Sequence, residues 1–257
     1  MTTPLPTGTT HAAPAPARVW AQARFELGAI VRNGEQLMVT ILLPLGLLIL
    51  LATTQVIDLN TQGLHAIEFA TPGVMTLAIM SSALTSQAIA TAFDRRNGVL
   101  RFLATTPLGQ SGLLMGKILG VLLIAAVQLI LITVVAYFLG WRPSLTGILL
   151  ALPVAILGVA AFTALAQLLA GTVRAEAVIA LANILLVVLL IGGAVLAPAS
   201  QLPGVLQPIA LLLPSGALGE ALRGAFNDGA IPPLSLVVLL AWSAALGWGA
   251  RRLFQWS

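Results

Sequence analysis

Six long stretches without a charged residue constrain the fold of this chain more than any other feature of its sequence. They cover residues 36–57, 69–93, 118–141, 143–173, 177–219 and 229–250. A helix needs about 20 apolar residues to cross the hydrocarbon core of a bilayer. Five of the stretches suit one crossing each, whereas 177–219 is about twice as long as one helix requires. The stretches therefore predict a bundle of membrane-spanning helices.

The amino-acid composition agrees with a membrane protein and argues against other classes. Hydrophobic residues make up 59% of the 257 residues and charged residues only 8%, against about 25% charged residues in ordinary soluble domains. The net charge of +4 does not indicate a nucleic-acid-binding face, because the basic residues lie at the ends of the apolar stretches. Cysteine is absent, which excludes disulfides and thiolate metal sites. We predict an all-α integral membrane protein that binds no nucleic acid.

The second half of the longest stretch is too interrupted for a continuous spanning helix. Proline and glycine break helices, and six of them occur there, namely Pro203, Pro208, Pro214, Gly204, Gly216 and Gly219. The pattern predicts one spanning helix over about 177–197, followed by a re-entrant broken-helix segment over about 199–226, before the last span. A seventh crossing is the alternative.

The positions of the basic residues distinguish between these two topologies. With six crossings in residues 36–257 and a cytoplasmic N-terminus, ten of the twelve basic residues lie on the cytoplasmic side and only Arg142 and Arg223 lie outside. This is the distribution that the positive-inside rule expects. A seventh crossing would move Arg251 and Arg252 outside. We therefore predict six transmembrane helices with both termini cytoplasmic.

The N-terminal region divides into two parts. Residues 1–17 are rich in Pro, Thr and Ala and lack the basic start and apolar centre of a signal peptide, which predicts a disordered cytoplasmic tail. Residues 18–35 have helical periodicity, with Trp20, Leu27 and Ile30 on one arc and Gln22 facing away. They predict an interfacial amphipathic helix. The alternative is a cytoplasmic start of the first spanning helix.

The loop at 93–117 holds four of the twelve basic residues. Its segment 112–117, GLLMGK, is superficially similar to a phosphate-binding loop. That motif requires four residues between its glycines and a hydroxyl after the lysine, but here three residues intervene and Ile118 follows Lys117. This excludes nucleotide binding by the segment. Gly116 and Gly120 have the spacing at which membrane helices approach closely.

No catalytic or metal-binding pattern occurs in the predicted spans. The two histidines are His11 in the predicted tail and His65 in a predicted outer loop, and every Asp and Glu lies at or outside a span boundary. Mild polar residues do occur in the spans, and the main ones are Thr76, Ser81, Thr85, Gln87, Gln128 and Asn183. They indicate either hydrogen bonds between helices or a translocation path or subunit interface.

The loop also carries a family resemblance. The run Asp94-Arg95-Arg96-Asn97-Gly98-Val99-Leu100, followed by Leu103, Thr106-Pro107-Leu108 and Gly116-Lys117 before a long apolar helix, resembles the ABC-2-type permeases. These are membrane subunits of ATP-driven bacterial exporters of antibiotics, lipids and polysaccharides, including the daunorubicin-exporter type. The chain departs from that pattern at Val99, where the family usually has Thr, and at Arg101, where it usually has Glu.

The resemblance implies how such a chain would work. A separate cytoplasmic ABC ATPase, which itself binds ATP and Mg, would dock on the 93–117 loop, and this chain would bind no cofactor. The residues implied in coupling are Asp94, Arg95, Arg96, Gly98, Leu100, Arg101, Phe102, Leu103, Thr106 and Pro107. A second permease copy or a related permease would complete the complex in the bacterial plasma membrane, among membrane lipids. The alternative for the loop is a purely topological role at anionic lipid headgroups.

The expected function is export of a hydrophobic or amphipathic compound. Two other functions stay open at this point. One is a haem-handling permease of cytochrome maturation, which shares the architecture. The other is a membrane-embedded enzyme or assembly factor that has no ATPase partner.

Overall fold

The computed structural model describes residues 12–54, 66–196 and 202–253. Eleven α-helices occur in these ranges. They are α1 (Ala15–Arg32), α2 (Gly34–Thr53), α3 (Ala66–Met80), α4 (Gln87–Arg96), α5 (Val99–Ala104), α6 (Gly109–Phe138), α7 (Leu145–Thr172), α8 (Ala175–Gly192), α9 (Leu206–Leu212), α10 (Pro214–Arg223) and α11 (Pro233–Leu253). Two π-helical segments, Ser81–Ser86 and Gly224–Asp228, continue α3 into α4 and extend α10.

Five helices in the described ranges are long and apolar enough to cross a membrane. They are Ala66–Arg96, which joins α3, the first π-helical segment and α4, together with α6, α7, α8 and α11. The bent pair α9 and α10 makes a sixth if it counts as one span, and α2 contributes a shorter apolar stretch, Thr40–Thr53. The all-α membrane fold predicted from the sequence is thus confirmed, with five to six candidate spans.

The predicted broken helices before the last span are also present. The helix Leu206–Leu212 and the helix Pro214–Asp228 meet at an angle of 85°. Leu213 between them has extended backbone angles, φ −75° and ψ 146°. The ring of Pro214 disfavours helical angles in the preceding residue, and proline fits well at the first position of the next helix. The proline therefore ends α9 and starts α10.

The bundle is organised around the span Ala66–Arg96. In its most apolar window 89% of the residues are buried, whereas the corresponding value for α8 is only 17%. The main hydrophobic cluster joins this central span to α6, α7, α10 and α11 through residues such as Val74, Ile132, Phe162, Leu218 and Leu239. The central span is therefore the scaffold, and α8 is the most peripheral of the long helices.

The N-terminal helix begins slightly earlier than the sequence indicated. α1 starts at Ala15 after Pro14, so three residues assigned to the tail are helical. Most of the predicted tail, both histidines, residues 199–201 and the last four residues lie outside the described residues.

Candidate functional site

The loop between the central span and α6 contains the short helix α5. Gly98 joins α4 to α5 with a φ of +78°, a left-handed conformation that glycine adopts without the steric cost of a Cβ atom. At the other end of α5, the hydroxyl of Thr106 donates to the carbonyl of Leu103 at 2.6 Å. Pro107 follows and is exposed. The loop is thus a defined helix held between two sharp turns.

One face of α5 is buried inside the chain. Leu100 is fully buried and packs against Leu113 of α6, with Leu103 and Leu108 beside them. Phe102 points the other way and is 69% exposed. Of the three apolar residues expected to meet a partner, Leu100 is therefore inaccessible, because it fixes α5 to α6. Phe102 remains available.

The arginines of the loop have different environments. The Nη1 atom of Arg95 donates to the carbonyls of Ala170 and Val173 at 2.9 and 3.3 Å, where α7 ends and its last carbonyls lack helical partners. Arg96 forms an exposed ion pair with Glu176 of α8 at 3.3 Å. Arg95 and Arg96 thus connect the loop to neighbouring helices.

Arg101 contributes to a basic cavity at this end of the bundle. The cavity has a volume of about 290 Å³, and the charged residues that line it are Arg95, Arg96, Arg101, Arg174 and Glu176. Four guanidinium groups and one carboxylate give the cavity an excess of positive charge. Arg101 and Arg174 are both exposed, so this surface can bind an acidic group of a partner.

A buried ion cluster lies directly beneath the loop. Lys117 of α6 is completely buried, and its Nζ atom lies 2.6 Å from Oε1 of Glu26 in α1 and 3.5 Å from Oδ2 of Asp94 in α4. The amide of Gln22 donates to the same Glu26 oxygen at 2.7 Å. We call Glu26, Lys117 and Asp94 the buried triad. It connects α1, the central span and α6 at one point.

Two glycines of α6 allow α1 to approach this closely. A Cβ atom on Gly116 would lie 2.5 Å from Cγ of Gln22, and one on Gly120 would lie 2.9 Å from Cβ of Glu26. Both distances are too short for real Cβ contacts, so only glycine fits against α1 without rearrangement. The spacing seen in the sequence therefore corresponds to a close helix contact.

α1 buries part of its polar face against the protein and leaves apolar side chains exposed. Gln22, Ala23 and Glu26 are buried against the protein, whereas Trp20 and Val31 are 49% and 55% exposed. The polar stripe faces α6 because Glu26 meets Lys117 there, and the exposed apolar side chains are available to lipid. Glu26 was not among the residues predicted from the sequence to have a role. Its spacing of four from Gln22 was a weak signal of a shared helix face.

The six polar residues proposed for a path lie on three elements of the described structure: four on the central span, Gln128 on α6 and Asn183 on α8. The hydroxyls of Thr76 and Ser81 donate to carbonyls of their own helix at 2.8 and 3.4 Å. Gln128 joins α6 to α2 by donating to the carbonyl of Thr40 at 2.8 Å. Asn183 lies on an exposed face of α8. These four are thus distributed over different parts of the bundle.

Thr85 and Gln87 lie where the first π-helical segment meets α4. Thr85 Oγ1 and Gln87 Oε1 are buried and have no hydrogen-bond partner in the described structure. Further along α4, Thr91 accepts a hydrogen bond from Gln167 of α7 at 3.0 Å. π-Helical segments within α-helices occur frequently at functional sites. Gln128 Oε1 is also buried without a partner, so three of the six residues have an unsatisfied polar atom in the described structure.

Arg223 is buried in the broken-helix segment and is held on three sides. Its Nη2 atom donates to the carbonyls of Ala194 and Val195 at 3.0 and 2.6 Å, and its Nη1 atom donates to Glu220 at 2.7 Å. The guanidinium carbon lies 4.7 Å from the ring centre of Phe69. This arginine therefore joins α10 to the end of α8 and to α3.

The fold and the loop together define a polytopic all-α membrane subunit with a short helix at the end of its central span. The model of the family described as ABC-2 type transporter matches residues 18–227. The chain therefore belongs to the ABC-2 type transporter family, and it is a transmembrane transporter subunit. No curated protein matches this chain at a significant level.

Proposed function

We propose that this chain is the permease subunit of a bacterial ATP-driven exporter, and that a separate ABC ATPase docks on α5. The observation that carries the proposal is the position of α5, which directly follows the central span, packs on α6, and lies beside an ion pair that joins these two spans. Leu100 packs on Leu113 of α6, and Asp94 at the end of the central span lies within 3.5 Å of Lys117 in α6. A displacement of α5 would therefore move both spans as one body.

The outward surface of α5 supports the docking proposal. Phe102 is 69% exposed although charged residues surround it at this end of the bundle. Aromatic residues are typical anchors of protein interfaces. Arg101 lies beside it and lines the basic cavity. An ATPase with an apolar pocket and adjacent acidic residues would complement this surface.

The test is replacement of Phe102 by alanine, with Phe138→Ala as the matched control. Phe138 is also highly exposed, at 83%, but lies at the opposite end of α6. We expect Phe102→Ala to weaken co-purification of the ATPase by about tenfold or more, as for an interface anchor that contributes about 2 kcal/mol, whereas the control keeps it. Equal co-purification with both variants, or no ATPase with the wild-type chain, would contradict the proposal and favour a membrane protein without an ATPase.

Arg101→Gln tests the polar part of the surface without disturbing the fold. Arg101 is exposed, whereas Arg95 and Arg96 bond to neighbouring helices. Neutralising Arg95 or Arg96 would therefore change the stability of the fold as well as the binding of the ATPase. We expect Arg101→Gln to reduce ATPase binding and to reduce its dependence on salt, because exposed charges are screened.

We further propose that a second copy or a related permease packs against α8. This helix has the least buried window of the five long spans, and Ile184, Val187 and Ile191 on it are all more than half exposed. Asn183 lies among them. Because the chain has no cysteine, an Asn183→Cys variant carries a single thiol. We expect it to form a cross-linked dimer in membranes, and failure to do so when a Phe138→Cys variant cross-links would place the interface elsewhere.

The proposed topology has α2 as the first span, the pair α9 and α10 as a re-entrant segment, and both termini in the cytoplasm. Single cysteines at the exposed positions Ala104 and Val205 test this arrangement. An impermeant thiol reagent should label Val205→Cys from outside the cell and Ala104→Cys only after permeabilisation. The reverse pattern would invert the topology.

The proposed substrate is a hydrophobic or amphipathic compound moved out of the cytoplasm. The apolar composition of the spans, with dispersed hydroxyl and amide groups in the central span, supports this class. Inside-out vesicles that contain the chain and its ATPase should accumulate such a compound only when ATP is added. Accumulation by right-side-out vesicles instead would indicate import.

A further inference from the structure

A groove between α6 and α7 lies toward the Phe138 end of α6, far along the bundle from α5. Its cavity volume is about 290 Å³, close to the lower limit of about 300 Å³ for small-molecule sites. The floor is buried, since Met75 and Leu222 are 2% and 1% exposed. The rim is open, since Ile130 and Leu152 are 62% and 55% exposed. The groove therefore opens sideways, toward the hydrocarbon region of the membrane.

The interior of the groove offers no polar partner to a ligand. Thr133 carries the one side-chain hydroxyl among the described lining residues, and this hydroxyl already donates to the carbonyl of Leu129 at 2.7 Å. A sugar, peptide or ion in the groove would lose its hydrogen bonds to water without replacement, which is costly. An unbranched apolar chain fits this interior without that loss.

An exposed arginine follows an aromatic pair that reaches the lining of the groove. Phe226, which lines the groove, stacks edge-to-face on Trp141 with 5.0 Å between ring centres. The next residue, Arg142, is exposed, and its guanidinium lies 3.9 Å above the ring of Tyr137. Tyr137 is half-exposed, as are tyrosines that mark the headgroup level of a membrane. Tyr137 and Arg142 lie at the end of the apolar helix α6, where the headgroup level of a membrane is expected.

The guanidinium of Arg142 is held in place by hydrogen bonds, but some of its donors have no partner in the described part of the chain. Its Nη1 atom donates to the carbonyls of Tyr137 and Trp141 at 2.6 and 3.0 Å. In the described part of the chain, Nε and Nη2 have no bond to protein, and no carboxylate forms an ion pair with this arginine. The two free donors match the bidentate geometry that arginine uses for phosphate.

We propose that this groove binds one membrane phospholipid, with an acyl chain between α6 and α7 and the phosphate on Arg142. The acyl chain of the lipid would contact Leu222 and Phe226, and so would support the broken-helix segment against α7. A second copy of the protein is a less suitable occupant. The peripheral helix α8 packs most closely on α4, the first π-helical segment, α10 and α7, whereas α6 packs most closely on α1, α7, α3 and α2. The α6 wall of the groove therefore lies away from the helix that is proposed to meet another permease.

Trp141 provides a reporter for the test. The other four tryptophans are changed to phenylalanine, and the full-length chain is placed in lipid nanodiscs with increasing fractions of a phospholipid brominated in one acyl chain. Bromine quenches tryptophan fluorescence at short range. We expect quenching of Trp141 to saturate at a bromolipid fraction below the one expected for random contact with bulk lipid.

Two variants distinguish a bound lipid from bulk lipid. Ala126→Phe fills the groove from its exposed rim and should remove the saturable quenching, whereas Ala244→Phe on the exposed face of α11 should preserve it. Arg142→Gln should weaken the lipid preference by about tenfold, the equivalent of one hydrogen bond to a charged group.

Either of two results would overturn the proposal. One is equal quenching in Ala126→Phe and Ala244→Phe. The other is efficient disulfide cross-linking between two copies through Ile130→Cys, which would assign the groove to a second copy. None of these measurements depends on ATPase binding or transport, so their outcome is independent of the proposed function.

Discussion

Replacement of Lys117 by methionine tests whether the buried triad holds α1 against the bundle. Methionine keeps the length and much of the volume of lysine but removes its charge. Lys117 is completely buried, and only 5% of the Glu26 side chain is exposed. The variant therefore leaves the Glu26 carboxylate in an apolar environment without its cation. The amide of Gln22, at 2.7 Å, is the one remaining partner of Glu26 that the described structure shows.

The geometry sets the order of the expected effects. Removal of one member of a buried ion pair costs about 3 to 5 kcal/mol, and we expect Lys117→Met to fall in this range. Glu26→Gln should cost less, because the oxygen of the new amide can still accept a hydrogen bond from Lys117, whose Nζ atom lies 2.6 Å from Oε1 of Glu26. Asp94→Asn should cost about 1 kcal/mol, because Asp94 lies 3.5 Å away and its side chain is 26% exposed. The Glu26→Gln/Lys117→Met double variant should cost less than the two single changes together.

The assay is reversible unfolding in mixed micelles of a mild detergent and dodecyl sulfate. Trp20 on α1 and the tryptophans of α11 report separately on release of α1 and on loss of the bundle when the other tryptophans are removed. Arg101→Met, a loss of an exposed charge from the same loop, should change the free energy of unfolding by less than about 0.5 kcal/mol. A loss below about 1 kcal/mol in Lys117→Met would refute the reasoning.

Three further changes test other parts of the structure. Gly116→Val should destabilise the fold by about 1 to 3 kcal/mol, because its Cβ would overlap Gln22 at 2.5 Å, whereas Gly28→Ala in open space should be neutral or stabilising; chemical denaturation compares them. Gly98→Ala should cost about 1 to 2 kcal/mol through its φ of +78°, seen as increased proteolysis of the loop. Arg223→Met should cost about 3 kcal/mol and lower the melting temperature, since two carbonyls lose their donors; an unchanged melting temperature would contradict the role of this arginine.

Much of the architecture could be predicted from local sequence. Apolar stretches of about 20 residues specify membrane helices, because an unbonded backbone is too costly in lipid. Proline acts just as locally, and Pro214 produces the bend between α9 and α10 that the sequence analysis expected. Each of these depends on a residue and its immediate neighbours along the chain.

The candidate site could be predicted only in part. The loop and its arginines were recognised from charge density and motif, but their roles depend on partners distant in sequence. Arg95 bonds to Ala170, 75 residues away, and Lys117 bonds to Glu26, 91 residues away. The spacing of apolar residues within one helix gives no information about which distant residue a side chain will pair with. The same limit applies to Gln128 and Asn183, which lie on α6 and α8 and not with the other four polar residues on the central span.

The sequence alone is enough to predict a bundle of membrane helices with a basic loop and with a broken helix before the last span. Helix length, charge placement and proline each act through neighbouring residues of the chain. Only the packing of distant helices revealed which face of α1 meets the protein. Glu26 forms an ion pair with the buried Lys117 of α6, so the polar stripe of α1 faces the protein and Trp20 remains exposed. Only the structure shows that Leu100 is buried and attaches α5 to α6, whereas Phe102 is exposed and available to a partner.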